Sequence, residues 1–178
     1  MNVTKLINQK PLLVLSSVAL VGAHLFYDYL QSGSIPYHNV LAREDMPAIS
    51  NWWGLLTIPL LTWIAVTFIR KRIISYPEQA VTVLKGFLGA LLYGIVMSLL
   101  WRTGMDHLMQ YLIWLPLLLA FKWPVYRLEY LLGFVLGMFM TFGGVLPIGI
   151  GLFLLLGSWL IHQGIRRGIM WLVNRFTG

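Results

Sequence analysis

A chain of 178 residues in which 58% are hydrophobic and 11% are charged has far fewer charged side chains than a soluble domain, where about a quarter are charged. The net charge of +7 comes from 13 Lys and Arg against 6 Asp and Glu. These charges lie in short clusters beside apolar runs, a placement typical of basic residues that set membrane topology and not of a nucleic-acid-binding surface. The absence of cysteine excludes disulfides, thiolate metal sites and thiol nucleophiles.

Six apolar stretches predict an all-α bundle of six transmembrane helices, forming a single integral membrane domain over residues 1–178. A bilayer core needs roughly 20 mostly apolar residues per helix, so the chain is long enough for six spans with short connections. The predicted spans cover residues 11–30, 52–69, 81–101, 107–121, 128–142 and 146–163, followed by a candidate interfacial helix at 165–176. The first run is longer than the apolar region of a signal peptide, about 7–15 residues, so we expect it to be retained.

Proline and glycine mark the breaks in this pattern. The segment 31–50 contains a glycine and two prolines, which predict a polar loop between the first two spans. Pro59 predicts a kink in the second span, and Pro116 an interruption of the fourth. Gly133 and Gly137 lie four residues apart on the fifth span, a spacing that allows close approach to another helix.

The basic residues predict the orientation of the chain. With six spans, only Arg43 and Arg102 fall on the side opposite the N-terminus. Because basic loops stay in the cytoplasm, we expect a multi-pass protein of the plasma or inner membrane with both termini cytoplasmic. The eleven bases on the predicted cytoplasmic side are Lys5, Lys10, Arg70, Lys71, Arg72, Lys85, Lys122, Arg127, Arg166, Arg167 and Arg175.

His24 and Asp28 form the first candidate site. They are four residues apart, so on a helix their side chains lie on one face and can share a proton, a metal ion or a hydrogen bond. Ionisable groups inside a span usually face a protein interior or a water-filled cavity. The alternative is an amphipathic helix tip whose polar groups reach the lipid headgroups.

Asp106 and His107 open the fourth span on the same predicted side. Together with His24, Asp28 and His38, His107 could surround one divalent ion, because imidazole and carboxylate ligands suit Zn or Ni. The alternative interpretation makes Asp106 a helix N-cap and leaves His38 solvated in the loop. The sequence contains none of the HxxxH, HExxH or HxH spacings typical of a local metal motif.

Other polar residues stand at the ends of spans. Asn51 and Trp53 are candidate ligand-binding residues of a stacking lid, or else Ser50 and Asn51 cap the second span and the tryptophans anchor it. At the opposite side Arg127 and Glu129 border the fifth span, where headgroup contact or helix capping accounts for them.

The segment from Glu44 to Pro59, through Ser50-Asn51 and Ile58-Pro59, resembles the early part of alkaline ceramidases and related intramembrane zinc hydrolases. That resemblance implies a metal-dependent hydrolase. The family continues with a Ser and a His four residues apart, and with two His four residues apart, around its metal. At those spacings this chain has Ser98 with Arg102 and His162 with Arg166.

Gly104-Met105-Asp106-His107-Leu108 resembles the Gly-x-Asp-His-Leu core of nickel and cobalt permeases. This second resemblance implies transport of a divalent cation. The His-Pro pair that precedes the core in that family is replaced here by Leu100-Trp101.

Three function classes follow from these residues. The first is a small permease or binding subunit whose outward-facing pocket takes a cation or small polar solute at His24, Asp28, Asp106 and His107. The second is an intramembrane zinc hydrolase that uses the same residues. The third is a structural or assembly subunit, with a membrane protein or a second copy of the chain as its partner.

Overall fold

The computed structural model describes residues 7–35, 37–39 and 48–165 together with 168 and 175, and of residues 38 and 39 it describes only the backbone. Apart from one short hairpin, the regular elements are helical. The α-helices are α1 (Lys10–Ser32), α2 (Gly54–Ser75), α3 (Ala80–Arg102), α4 (Asp106–Leu112), α5 (Leu115–Leu119), α6 (Leu128–Phe142) and α7 (Val145–Trp159). Short 3-10 turns, Asn51–Trp53 and Pro77–Gln79, lead into α2 and α3, and a π-helix, Leu160–Ile165, continues α7.

Four helical segments are long and apolar enough to cross a membrane. They cover Lys10–Ser32, Asn51–Ser75, Pro77–Arg102 and Val145–Ile165, and they correspond to the first, second, third and sixth predicted spans. The second segment runs past the predicted end at residue 69 because the Arg and Lys residues that follow are good helix formers, and it stops before Pro77. The fifth predicted span coincides with α6, an apolar helix of 15 residues that has the predicted bounds but is shorter than the four segments above.

The fourth predicted span, residues 107–121, is not one continuous helix. It consists of α4 and α5, separated by a turn at residues 113 and 114. Pro116 lies in the first turn of α5, where a backbone N–H would have no acceptor within the helix, so its absence costs nothing. The proline ring also disfavours the helical conformation of the preceding residue, which keeps α4 from continuing into α5. The predicted interruption at Pro116 is therefore confirmed.

The predicted loop between the first two spans contains a hairpin. Strand β1 (Tyr37–Asn39) pairs antiparallel with β2 (Ala48–Ser50), with Tyr37 opposite Ser50. Gly33, at φ +69°, ends α1 in the left-handed conformation that glycine adopts readily. The residues between the strands, including Arg43, Glu44 and Asp45, lie outside the described residues, as does most of the candidate interfacial helix at 165–176.

Helices α3 and α6 pack with their backbones in contact. A Cβ on Gly137 would lie 2.5 Å from the Leu91 carbonyl oxygen, and a Cβ on Gly94 would lie 2.5 Å from the Phe134 carbonyl oxygen. The predicted close approach at Gly133 and Gly137 is thus confirmed, and the Ser98 hydroxyl donates a hydrogen bond across it to the Gly137 carbonyl, at 3.1 Å.

The two helices of this pair run parallel. Tyr130 of α6 lies against Gly86, and Gly137 lies against Gly94, so contact positions advance in the same direction along both chains. The end of the bundle where α2 ends and α3 and α6 begin is called the basic end below. It contains Arg70, Lys71, Arg72, Lys85, Lys122 and Arg127.

Candidate functional site

His24 and Asp28 lie on the face of α1 that packs against the bundle. Val21 and Leu25 on the same face are buried, with 2% and 4% of their surface exposed. The His24 Nε2 and Asp28 Oδ2 atoms are 3.6 Å apart, and the two side chains are 12% and 17% exposed. The His24 ring lies nearly perpendicular to the Phe139 ring of α6, with the ring centroids 5.3 Å apart. The pair is therefore largely enclosed by protein and does not extend freely as a helix tip.

The distance between the two groups has a chemical consequence. At 3.6 Å the imidazole and the carboxylate are too far apart for a direct hydrogen bond. They are close enough for one water molecule or cation to contact both. An imidazole and a carboxylate together can hold a cation or exchange a proton with a polar solute.

Close packing of glycines holds α1 against the neighbouring helices. Val21, one turn before His24, lies against Gly54 at the start of α2: its Cγ1 would be 3.4 Å from a Cβ placed on that glycine. Gly54 in turn lies against Gly144, at the start of α7, where an added Cβ would be 2.7 Å from the Gly54 Cα. These contacts fix the helix face that carries His24 against the bundle.

Asn51 and Trp53, the other candidate ligand-binding residues of this region, differ in environment. Ser50 accepts a hydrogen bond from the Trp52 N–H at 3.4 Å, so Ser50 is the residue that caps the turn into α2. Asn51 is buried, whereas Trp53 is exposed. The exposed Trp53 ring matches the anchor interpretation, and the buried amide of Asn51 belongs to the packed start of α2.

Asp106 and His107 lie at the start of α4, and both are exposed. Met105 occupies the N-cap position and Asp106 lies inside the first turn, so the predicted N-cap at Asp106 is not observed. A carboxylate in the first turn still favours the helix through its dipole. Asp106 therefore stabilises α4 through the charge of its carboxylate near the helix N-terminus, without a capping hydrogen bond.

The predicted shared metal centre finds no support in the part of the chain that the structure describes. No group of three or more His, Asp or Glu residues there is placed to hold one ion, so His24, Asp28 and His107 do not form a common set of ligands. The His38 side chain lies outside the described residues. The separation of His24 and His107 along the chain does not show whether their side chains converge, so the sequence alone left a shared site as a hypothesis.

Glu129, which the sequence assigned to headgroup contact or helix capping, forms a buried ion pair with Arg72. The Arg72 Nη2 atom donates to Glu129 Oε1 at 2.6 Å, and the Glu129 side chain is 2% exposed. A sequence signal existed: Glu129 is the one charged residue of an otherwise largely apolar helix, and it lies in the first turn, at the end predicted to carry the Arg70-Lys71-Arg72 cluster. Headgroup contact is therefore the wrong interpretation of Glu129.

A cavity of about 490 Å³ lies between α3, α5, α6 and α7, near the basic end. Its walls include Gly86, Gly89 and Ala90 of α3 and Gly151 of α7; of the three glycines, Gly89 has open space at its Cβ position, whereas Tyr130 packs against Gly86 and Leu131 against Gly151. The motifs singled out in the sequence do not indicate this cavity. The repeat of Gly86, Ala90 and Gly94 at four-residue spacing was the available signal for a thin face on α3.

His162, the fourth histidine, lies at the basic end, where it links the end of α7 to the segment after α5. His162, in the π-helix, donates from Nδ1 to the Ala120 carbonyl at 2.8 Å, and Gln163 Nε2 donates to the Tyr126 hydroxyl at 2.8 Å. Both bonds join the end of α7 to the turn that follows α5. His162 is thus accounted for by its structural contacts.

Comparison with known proteins assigns no family to this chain. No family model, curated protein or solved structure matches it. What the protein does is therefore inferred from its own residues and their placement.

Proposed function

We propose that this protein is a multi-pass cell-membrane protein that binds a small cation or small polar solute at the His24–Asp28 pair, as a permease or as the binding subunit of one. The observation that carries the proposal is the largely buried pair itself, with its atoms 3.6 Å apart beside Phe139. Enclosed ionisable groups in an apolar bundle are costly and usually functional.

The proposed topology has six crossings, with both termini in the cytoplasm and His24 near the outer side. What supports it is the parallel arrangement of α3 and α6, because a chain that crosses in the same direction twice must return in between. The return is made by α4 and α5. Along this path the Tyr93 hydroxyl of α3 donates to the Leu112 carbonyl at 2.8 Å, and Leu117 of α5 lies against Gly157 of α7.

A broken crossing also fits a binding protein. Non-helical backbone at membrane depth is tolerated where it is enclosed by protein or lines a cavity, and interrupted helices are frequent in transporters. Zinc hydrolysis is less well supported, since it requires about three protein ligands and the described residues supply His24 and Asp28 as a pair. An assembly role is supported by no specific contact among the described residues.

Ligand-induced stabilisation of the full chain in detergent tests the proposal. The probes are Zn²⁺, Ni²⁺, Na⁺ and a panel of small amino acids and amines. A ligand at 100 times its Kd stabilises the folded state by about 2.7 kcal/mol, which raises the unfolding temperature measurably. Asp28→Asn and His24→Gln should remove the increase. Glu78→Gln, which removes an exposed carboxylate at the basic end, is the matched control and should keep it.

An increase that survives both His24→Gln and Asp28→Asn would place the ligand elsewhere and overturn the proposed site. The same result follows if no probe stabilises the wild-type chain at millimolar concentration while the two variants unfold at the wild-type temperature. In that case the pair would neither bind these probes nor stabilise the packing of α1 against α6.

A further inference from the structure

The cavity near the basic end contains a buried hydroxyl that lacks a partner. Ser158 of α7 is 1% exposed, lines the cavity, and has no hydrogen-bond partner for its Oγ among the described residues. The buried hydroxyl of Thr62 in α2, by contrast, donates to the Ile58 carbonyl of the preceding turn at 2.9 Å. A buried donor without a partner is unfavourable, so a ligand atom that accepts from Ser158 would be stabilised.

The remaining walls define the shape and polarity of such a ligand. They are mostly apolar, and along α3 they extend from Thr82 to Tyr93, about 16 Å at 1.5 Å per residue. The volume of about 490 Å³ falls within the range of about 300–1,000 Å³ typical of small-molecule sites. Gly89 has no atom within 4 Å of the position where a Cβ would stand, so α3 leaves the space open there. An elongated apolar group fits this space.

Lys85 adds a charge at the edge of the same cavity. It lines the cavity, its side chain is exposed, and no carboxylate in the described part of the chain pairs with it. The α3 face that carries Lys85 also exposes Val81, Leu88 and Leu92, a surface suited to lipid. The cavity therefore combines an ammonium group at its edge, an apolar interior and a buried hydroxyl donor.

We propose that this cavity binds an anionic phospholipid taken sideways from the cytoplasmic leaflet. The phosphate lies at the Lys85 ammonium, an ester carbonyl accepts from the Ser158 hydroxyl, and an acyl chain occupies the space beside Gly89. The charge of Lys85 favours an anionic over a zwitterionic headgroup, and the leaflet follows from the proposed topology. The site shares no residue with the His24–Asp28 pair, so either proposal can fail without the other.

Native mass spectrometry of the full chain in detergent tests this site. The probes are phosphatidylglycerol, phosphatidylcholine of the same acyl composition, and palmitate. The wild-type chain should retain one phosphatidylglycerol about fivefold more readily than phosphatidylcholine, the effect of one cation near an anionic headgroup. Lys85→Gln should remove this preference, and Ser158→Ala should weaken retention of both phospholipids.

Gly89→Leu fills the cavity and should abolish retention. Its matched control is Gly149→Leu, because Gly149 also has open space at its Cβ position but lies on α7 outside the cavity. Should Gly89→Leu fail to fold, Gly89→Ala should give a graded loss. Equal retention by the Gly89 and Gly149 variants, equal binding of the two phospholipids by wild type, or binding of palmitate in preference to either phospholipid would each overturn the proposal.

Discussion

Arg72 and Glu129 form an ion pair that joins the end of α2 to the start of α6, with Nη2 and Oε1 at 2.6 Å. The two residues are 57 positions apart in the chain, so the contact fixes the relative positions of distant helices. Glu129 is almost completely buried, whereas the Arg72 side chain is 22% exposed. The Glu129 Oε2 atom and the Arg72 Nε atom have no hydrogen-bond partner in the described structure. The carboxylate therefore depends on one guanidinium contact for compensation of its charge.

Removing either partner of this pair should be strongly destabilising. In Arg72→Met a buried carboxylate remains without its cation, and we expect a loss of about 3–5 kcal/mol in the free energy of unfolding. The double variant Arg72→Met with Glu129→Leu should recover most of that loss, because no buried charge remains. Thermal unfolding in detergent gives the stabilities of the wild type, the two single variants and the double variant. Lys71→Met, at an exposed position, is the control and should change stability by less than about 0.5 kcal/mol. Additive effects of the two single changes would show that the pair is not coupled.

The contact between α3 and α6 should tolerate no side chain at its centre. In Gly137→Leu the new Cβ would lie 2.5 Å from the Leu91 carbonyl oxygen, too close for van der Waals contact, and the rest of the side chain would need further space. Since both backbones would have to separate, we expect a loss of about 1–3 kcal/mol or more. Gly149→Leu is the control, because Gly149 has open space at its Cβ position. The measurement is the unfolding temperature of each variant, and Gly137→Leu should unfold at the lower temperature. Equal stability of the two variants would contradict the close approach.

The sequence predicted helices better than it predicted their contacts. Hydropathy marks apolar helices directly, so α6 begins and ends where expected, and Pro116 identified the break after α4. Which helices meet depends on faces far apart in the chain. The pairing of α3 with α6 became evident only when Gly94 was found against Gly137. The hairpin was missed because each strand has three residues, too few for a period to be recognised.

Candidate site residues were only partly predictable for the same reason. The spacing of His24 and Asp28 within one helix gave their proximity, since four residues complete about one turn. The proposed convergence with His107 required knowledge of helix packing that no local pattern contains. Ser158 gave no signal at all, because a serine in an apolar helix is ordinary until its hydroxyl is found without a partner.

The hydroxyl of Tyr93 should matter for the break between α4 and α5. It donates to the Leu112 carbonyl at 2.8 Å, close to where the helix is interrupted. In Tyr93→Phe that carbonyl loses a partner in an apolar environment, and we expect a loss of about 1–3 kcal/mol. Tyr111→Phe, which removes a hydroxyl from an exposed ring on α4, should have little effect on the unfolding temperature. Equal effects of the two changes would show that the hydroxyl does not stabilise the break.

The proposed orientation can be read with reporter fusions that distinguish the two sides of the membrane. A reporter fused after Ser34 should be extracytoplasmic, and one fused after Ser75 should be cytoplasmic, because basic clusters such as Arg70-Lys71-Arg72 favour the cytoplasmic face of a membrane. Fusions after Thr103 and Trp123 test the broken crossing: the first should be extracytoplasmic and the second cytoplasmic. Identical readings at Thr103 and Trp123 would mean that α4 and α5 do not cross. Inverted readings at Ser34 and Ser75 would place the His24–Asp28 pair near the cytoplasm and the lipid cavity in the outer leaflet.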